Sequence, residues 1–308
     1  MSHQTKANMM LIVVNVFWGL SYVFMKMGLS SLQTFNIVSL RFLIAFFIAG
    51  ILFYKRLMMV TKKVIISSLM LGTLLFGVFT FVTFGVSMTS ASNAGFLVSL
   101  TVLFVPLINC LLVQRLPSWQ TCIGLVFTLI GVGLLTLKHS FTLNTGDLLC
   151  IIGALLYANY IILTGKLTKQ DDPLTLGILQ LGVAGVLAMI CSIFFENPSL
   201  PSTLNTWVAI LGLGVLCSAV GFICQTIAQK YTTPTHTGLI FALEPIFAAL
   251  FAVLFLEEIF TFKDIIGCSI VILGILIAQI DMKSLSKINL KINNRNIRRL
   301  IKLKIGVK

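Results

Sequence analysis

Long apolar runs follow one another along almost the whole of the first 281 residues of this chain. A run of about 18 or more apolar residues can cross the hydrocarbon core of a bilayer as a helix. Strands of a membrane barrel would alternate apolar and polar residues, and these runs do not. The pattern predicts an all-α integral membrane protein with ten transmembrane helices: Met9–Met25, Phe35–Tyr54, Val64–Thr83, Ala91–Val113, Trp119–Leu137, Gly146–Leu163, Leu174–Phe194, Thr206–Gln225, Thr235–Leu256 and Phe262–Ile280.

The second half of the chain repeats the first. When the sequence is shifted by 143 residues without a gap, Gly95, Gly124 and Gly131 fall on Gly238, Gly267 and Gly274, and several leucines and phenylalanines also match. Five spans per repeat is an odd number, so the second repeat must enter the bilayer from the opposite side. Two inverted five-helix repeats are typical of secondary transporters, whose binding site lies near the bilayer midplane. We expect repeats at residues 1–139 and 140–281 and a basic tail at 282–308.

The basic residues of the loops predict the orientation. With the N-terminus in the cytoplasm, inside segments hold 18 of the 22 Lys and Arg residues. Cytoplasmic loops are the ones that carry excess Lys and Arg. The first run ends in Met25-Lys26-Met27 rather than at a small-residue cleavage site, so we expect it to be retained. The chain is therefore predicted to be multi-pass in the cytoplasmic membrane with both termini cytoplasmic.

The tail after Met282 carries nine basic and no acidic residues, and so contributes +9 to the net charge of +13. Two interpretations stay open. The tail could form a basic amphipathic helix on anionic lipid headgroups, or it could be a flexible segment that only enforces the topology. In neither case does the charge indicate nucleic-acid binding.

Glycines seven residues apart mark one face of the fifth, eighth and tenth runs. Small residues let helices approach closely in a membrane, so we interpret these glycines as packing seams. The fifth and tenth runs carry few polar side chains and could also offer a surface for a homodimer. The pairs are Gly124 with Gly131, Gly214 with Gly221, and Gly267 with Gly274.

Two ionisable residues, Glu244 and Arg41, lie deep inside predicted spans. Such residues are costly to insert and suggest a functional site. Glu244 precedes Pro245, which lacks an N–H and should interrupt the helix. We expect Glu244 to bind a proton, a cation or a substrate amine, or alternatively to brace the helix break. Arg41 could reach the outer face, and a structural ion pair or hydrogen bonds to carbonyls is favoured over ligand contact.

Aromatic and polar side chains at helical spacing form further candidates for substrate binding. Trp18 and Tyr22 lie on the first run with Asn15 and Lys26, while Tyr157 and Tyr160 lie on the sixth. They face either a packed core or a cavity, and their polar groups suit a cavity. Weaker polar candidates are Asn93, Gln180, Gln225 and Gln229.

Metal and cofactor sites are not expected. The acidic residues Glu257, Glu258 and Asp264 are interpreted as a solvated outer turn, and His236 as interfacial. The cysteines show no Cys-x-x-Cys spacing. No phosphate-binding loop of the Walker type occurs, so ATP is not expected as the direct energy source.

Several motifs resemble the EamA-type transporters of the drug/metabolite transporter superfamily. Leu243-Glu244-Pro245 with Leu256-Glu257-Glu258 resembles the second repeat, and Phe17-Trp18-Gly19 with Leu40-Arg41-Phe42 resembles the first. Gly95 through Pro106 is similar to a variant fourth helix. The resemblance spans about residues 8–281. It implies a ten-helix inverted repeat, a central cavity and alternating access, with export or less often uptake of small metabolites such as amino acids.

Two positions depart from that family pattern. Gln114-Arg115 stands where the family commonly has a carboxylate, and Tyr157 stands where Trp is common. The lead hypothesis is a secondary transporter of a small organic metabolite such as an amino acid or an amine, acting as an exporter rather than as an enzyme. The alternatives are a channel or facilitator without alternating access and, less favoured, a membrane-embedded enzyme.

Overall fold

The computed structural model describes residues 2–89, 91–114, 116–136, 144–256 and 261–279. These residues form helices joined by short turns, and none of them lies in a strand. Eight helical stretches among them are long and apolar enough to cross a membrane, and Trp119–Leu134 is a shorter apolar helix. The chain is therefore an all-helical, multi-pass membrane protein, while the count of ten spans stays a prediction.

The first repeat contains seven helices, of which α3 is a single turn. They are α1 (His3–Leu29), α2 (Thr34–Leu52), α3 (Tyr54–Leu57), α4 (Lys62–Met88), α5 (Ala91–Ser99), α6 (Thr101–Val113) and α7 (Trp119–Thr136). The second repeat contains α8 (Thr145–Leu167), α9 (Pro173–Phe195), α10 (Leu204–Leu211), a π-helix Gly212–Val220, α11 (Gly221–Gln229), α12 (Pro234–Phe241), α13 (Glu244–Leu256) and α14 (Phe262–Gln279).

Short polar side chains begin many of these helices. Asn144 and Asp147 form a capping box at the start of α8, in which each side chain accepts a hydrogen bond from the other residue's backbone N–H. Asp172 caps α9 ahead of Pro173, and Thr233 caps α12 ahead of Pro234. Proline suits the first helical turn because its missing N–H would have no partner there. The sequence thus marks these helix starts locally.

The helices of the two repeats interlock pairwise. In the first repeat, α1 packs against α13 and against the segment from α10 to α11. Its counterpart in the second repeat, α8, packs in the same way against α6, α5 and α4. Likewise α2 contacts the π-helix, as α9 contacts α4. Exchanging each helix for its counterpart returns these main contacts, so the two repeats pack around a pseudo-two-fold axis.

Glycines hold α7 and α14 in close antiparallel contact. A Cβ placed on Gly124 would come within 2.5 Å of the Gly274 carbonyl oxygen, and one on Gly131 within 2.7 Å of the Gly267 carbonyl oxygen. The start of α7 thus meets the end of α14, and the reverse holds at the other end. The predicted packing seam is confirmed for this pair.

Carboxylates join the repeats near both ends of the bundle. At one end, Asp171 accepts a hydrogen bond from Ser67 at 2.8 Å and lies 3.5 Å from the Lys63 ammonium. At the other, the Glu196 carboxylate accepts hydrogen bonds from the backbone N–H groups of Phe35 and Asn36, both at 2.9 Å. Glu196 therefore satisfies the N-terminus of α2, whose orphan N–H groups attract negative charge.

The eighth predicted span differs from expectation in its middle. Instead of one uniform α-helix, the chain forms the π-helix Gly212–Val220 between α10 and α11. A π-helix widens the turn and often marks a functional position. Hydropathy and glycine spacing do not distinguish π from α turns, so the sequence carried no sign of it.

Candidate functional site

Two helices are interrupted at equivalent positions in the two repeats. Leu100 separates α5 from α6, and Ala242–Leu243 separates α12 from α13. The hydrogen bonds around both breaks correspond. The N–H groups of Leu100 and Leu243 bond to carbonyls three residues earlier, and residues 103 and 104 bond to the Leu100 carbonyl as 246 and 247 bond to that of Leu243.

The two breaks place different groups at the carbonyl of the same helical hydrogen bond. In the first repeat the Thr101 hydroxyl donates to the Val98 carbonyl at 2.7 Å, which Val102 N–H would use in a continuous helix. In the second repeat the equivalent carbonyl belongs to Phe241. Its helical donor would be the N–H of residue 245, which is a proline and has none.

The second break faces a small cavity. Tyr22, Gly95, Ser99, Glu244 and Pro245 line it, and its volume is about 10 Å³. That is close to the smallest space that holds one water molecule. The Tyr22 and Glu244 side chains line this cavity together, so the tyrosine hydroxyl lies beside the carboxyl group. The cavity brings together two of the predicted site residues, one from each repeat, with the predicted helix-breaking proline.

Gly19 explains how α1 approaches this break so closely. A Cβ at Gly19 would lie 2.6 Å from the Phe247 Cβ and 2.7 Å from the Ala248 backbone nitrogen. Any larger residue would push α1 away from α13. Gly19 therefore lets α1 come close to α13, and this approach brings Tyr22, one turn further along α1, next to Glu244.

A buried aromatic cluster adjoins the cavity. Trp18 contacts Tyr157, Phe222 and Phe241, with ring centroids 6.0, 5.1 and 5.0 Å apart. Tyr157 also stacks on Tyr160 at 5.8 Å, and it lies within electrostatic reach of Glu244 and Tyr22. We call these five rings of Trp18, Tyr157, Tyr160, Phe222 and Phe241 the aromatic cluster.

Most of the polar groups beside the aromatic cluster are satisfied. The Tyr160 hydroxyl donates to Gln180 Oε1 at 2.9 Å, and Gln180 Nε2 donates to Thr226 Oγ1 at 3.0 Å. Gln225 and Gln229 bond to each other at 3.0 Å. The hydroxyl of Tyr157, in contrast, is buried without a hydrogen bond to any residue that the structure describes. Tyr157 is thus the tyrosine of the cluster with bonding capacity to spare.

Arg41 differs from the expectation of an outward-reaching or ion-paired side chain. It is 1% exposed, its Nε donates to Ser218 Oγ at 2.9 Å, and its guanidinium carbon lies 4.3 Å from the centre of the Phe79 ring. No ion pair joins it to a described carboxylate. Packing between α2, α4 and the π-helix keeps it from the surface, which the distance along α2 alone could not reveal.

The π-helix joins these parts, although the sequence predicted only a packing role for one of its residues, Gly214. The Cys217 carbonyl accepts a hydrogen bond from Trp18 Nε1 at 2.9 Å, and Ser218 accepts the bond from Arg41. Phe222 and Phe241 were also missed. The one available signal was Gly221, because a Cβ there would lie 2.7 Å from Trp18 Nε1. Phenylalanines are too common in this chain to single out these two.

Several predicted residues lie elsewhere or outside the described part. The Asn93 side chain, Arg115, Glu257, Glu258 and the tail from residue 280 onward are outside it. Asp264 accepts hydrogen bonds from the backbone and hydroxyl of Thr261 at the start of α14. His236 lies 3.1 Å from Asn8 Oδ1. Within the described ranges, no group of three His, Cys, Asp or Glu residues could hold a metal ion.

Comparison with known families agrees with this architecture. The model of the EamA-like transporter family matches the chain twice, over residues 5–137 and again over residues 144–279. The two matches together cover most of the chain. The protein therefore belongs to the EamA-like transporter family, a family of membrane transporters.

Relatives and a solved structure show similar agreement. Two proteins of Archaeoglobus fulgidus, both described as uncharacterized transporters, are similar to this chain. One is 30% identical and covers 88% of this chain and 96% of its own; the other is 27% identical and covers 89% and 86%. A crystal structure that is 19% identical superposes with a TM-score of 0.75 over 89% of this chain and 96% of that one, which shows a shared fold.

Proposed function

We propose that this protein is a secondary transporter that exports a small organic metabolite, an amino acid or an amine, by alternating access. Family membership supports transport in general. The observation that carries the specific proposal is the position of Glu244, which lies at the helix break of α12–α13 and lines a cavity together with Tyr22 of the other repeat. A carboxyl group in this place can bind a substrate amine or a proton.

The size of the cavity favours alternating access over a channel. A space of about 10 Å³ holds at most one water molecule, so an organic substrate can enter only when helices separate. The aromatic cluster closes the bundle beside the cavity. A protein with a pre-formed pore would need no such separation.

The pseudo-symmetric contacts support the arrangement of ten helices as two inverted repeats. Helices α7 and α14 meet in antiparallel orientation, and the contact of Gly124 with Gly274 corresponds by the repeat to that of Gly267 with Gly131, as an inverted pair requires. Lys63 and Asp171 lie at one end of the bundle and Glu196 at the other. We place the end with the loops rich in Lys and Arg in the cytoplasm, and this orientation makes both termini cytoplasmic. The basic tail would then contact anionic lipids, and α7 and α14 are the candidates for a homodimer surface.

Counterflow in liposomes tests the proposal. Purified protein is reconstituted, the vesicles are loaded with one unlabelled amino acid or amine, and uptake of the labelled compound is followed. We expect saturable uptake that is accelerated by the loaded substrate. The Glu244→Gln variant should lose it, while Lys169→Gln, which changes an exposed residue at the end of α8, should retain it.

Two results would contradict the proposal in different ways. Flux that rises linearly with concentration and shows no counterflow indicates a channel. Normal counterflow in Glu244→Gln would leave Glu244 a structural brace of the break, and the site would have to lie elsewhere.

A further inference from the structure

Arg41 is a buried cation whose hydrogen-bonding groups are mostly unused. Its Nε bonds to Ser218, but Nη1 and Nη2 make no hydrogen bond to any residue in the described ranges. A charged side chain inside an apolar membrane-spanning helix is costly to insert, and unpartnered buried donors add to that cost. A residue that served only to join helices would be expected to use its donors.

The neighbours of Arg41 orient the guanidinium group without occupying it. Its central carbon lies 4.3 Å from the Phe79 ring centre and 5.1 Å from that of Phe42. Contacts between a cation and ring faces stabilise the charge, but they do not use the N–H groups at the edge of the guanidinium plane. Ser218 fixes the remaining side of that plane. The two terminal nitrogens, which we call the Arg41 fork, are therefore held in place with no hydrogen-bond partner among the described residues.

This fork lies at the edge of the candidate site. Phe42 and Phe79 both contact Phe222 of the aromatic cluster, with centroids 5.9 and 5.6 Å apart. Phe222 in turn contacts Trp18. The π-helix gives a second connection, because Ser218 bonds to Arg41 and the adjacent Cys217 bonds to Trp18. Opening of the aromatic cluster would thus join the Arg41 fork to the cavity at Glu244.

We propose that Arg41 is the anion-binding residue of the transport site and that it binds a substrate carboxylate once the aromatic cluster opens. This inference rests on the proposed function and narrows it. The paired terminal nitrogens of Arg match a carboxylate in bidentate geometry. Glu244 supplies the complementary group for an amine. The substrate class is therefore amino acids, which carry both groups, rather than simple amines.

Matched substrate pairs test this assignment. In the liposome assay, amino acids are compared with the amines that lack only the carboxylate, such as leucine with isoamylamine. For Arg41→Gln we expect the KM of the amino acid to rise about 10-fold or more, the loss expected for one charged hydrogen-bonding partner. The KM of the amine should stay unchanged. For Arg41→Lys, which keeps the charge but not the paired nitrogens, the KM of the amino acid should lie between those of wild type and Arg41→Gln.

An equal loss for both members of each pair would overturn the proposal, since a purely structural arginine affects every substrate alike. An unchanged amino-acid KM would overturn it too. Lys169→Gln serves as the control for reconstitution, and size-exclusion chromatography of Arg41→Gln shows whether the variant folds.

A binding measurement separates this proposal from the proposed function. The thermal stability of the detergent-purified protein is measured with and without each amino acid and each amine. If wild-type protein is stabilised by an amino acid and Arg41→Gln is not, the anion site stands even if no counterflow is found. If no amino acid stabilises the wild type and none is transported, the anion site is wrong together with the transport proposal. If transport occurs and the stabilisation does not depend on Arg41, only the anion site fails.

Discussion

The interrupted helices α5–α6 and α12–α13 occupy equivalent places in the two repeats, and yet they present different groups. Both lack the hydrogen bond to one equivalent carbonyl. In the first repeat the Thr101 hydroxyl turns back onto the Val98 carbonyl and also lies 3.2 Å from the carbonyl of Ala154. In the second repeat Pro245 removes the donor, and the side chain equivalent to Thr101 is Glu244, which faces a cavity.

The comparison distinguishes the helix break, which both repeats share, from the side chain at the break, which differs between them. Because the two breaks share a hydrogen-bonding pattern, the interruption itself belongs to the repeat and serves the fold. The Thr101 hydroxyl bonds to two backbone carbonyls. Glu244 does not make its break, since Pro245 does, and its carboxyl group remains available. In the proposed function, the exchange of a threonine for a glutamate at this one position supplies the binding group of an otherwise pseudo-symmetric bundle.

Among the substitutions that test this comparison, replacing Glu244 should reduce transport the most. Glu244→Gln makes the second break as uncharged as the first. We expect transport to fall by about 100-fold, as for loss of a charged interaction worth about 3 kcal/mol, and the remaining flux to lose its dependence on pH. Initial rates in liposomes over a range of pH values measure both. A pH profile that matches that of the wild type would show that another group titrates.

Removing the partner of Glu244 should have the next largest effect. Tyr22→Phe keeps the ring but deletes the hydroxyl beside the carboxyl group. We expect this hydroxyl to contribute one neutral hydrogen bond, worth about 1 kcal/mol, during transport, so transport should fall about 5-fold. Tyr231→Phe, at an exposed tyrosine, is the matched control. Equal activity in Tyr22→Phe and wild type would mean that the hydrogen bond does not serve transport.

Pro245→Ala tests whether the proline alone keeps the second break open. The new N–H can bond to the Phe241 carbonyl and continue the helix, which would turn Glu244 away from Tyr22. We expect transport to fall about 3-fold while thermal stability stays equal or rises, because one backbone hydrogen bond of about 1 kcal/mol is gained. Paired flux and melting measurements would reveal the opposite signs. Lower stability would argue that other contacts impose the break.

The smallest effect is expected at the first break. Thr101→Val keeps the shape but removes the hydroxyl. Hydrogen bonds between membrane helices average about 0.6 kcal/mol, so we expect a loss of stability near that value and transport within about 2-fold of wild type. Denaturation in detergent and liposome flux measure the two quantities. A loss of transport comparable to that of Glu244→Gln would remove the distinction between the two breaks.

Part of this architecture could be predicted from local sequence. Lengths of apolar runs and the 143-residue repeat predicted the helices, the glycine pairs predicted packing seams, and short motifs such as Leu243-Glu244-Pro245 indicated the transporter family. These features are periodic or compositional, so they survive without knowledge of contacts. Pro245 marked the second break for the same reason, since proline lacks its N–H in any context.

The rest depended on contacts between distant residues. The local sequence around Leu100 does not predict a break, because a hydroxyl bonded to the carbonyl three residues earlier also occurs inside continuous helices, as at Ser21 and Ser87. The π-helix likewise follows no local pattern. Phe222 and Phe241 resemble the other phenylalanines of the chain until the fold places them against Trp18.

Glu244 and Arg41 show where the division falls. An ionisable residue inside a long apolar run is visible in the sequence, so both could be identified as costly, buried charges without knowledge of the fold. Only the tertiary structure decided their surroundings. It gave Glu244 a tyrosine partner from the other repeat and a cavity, and it enclosed Arg41 between two ring faces and a serine. Surroundings of this kind are made by helices far apart in the chain, and only packing brings them together.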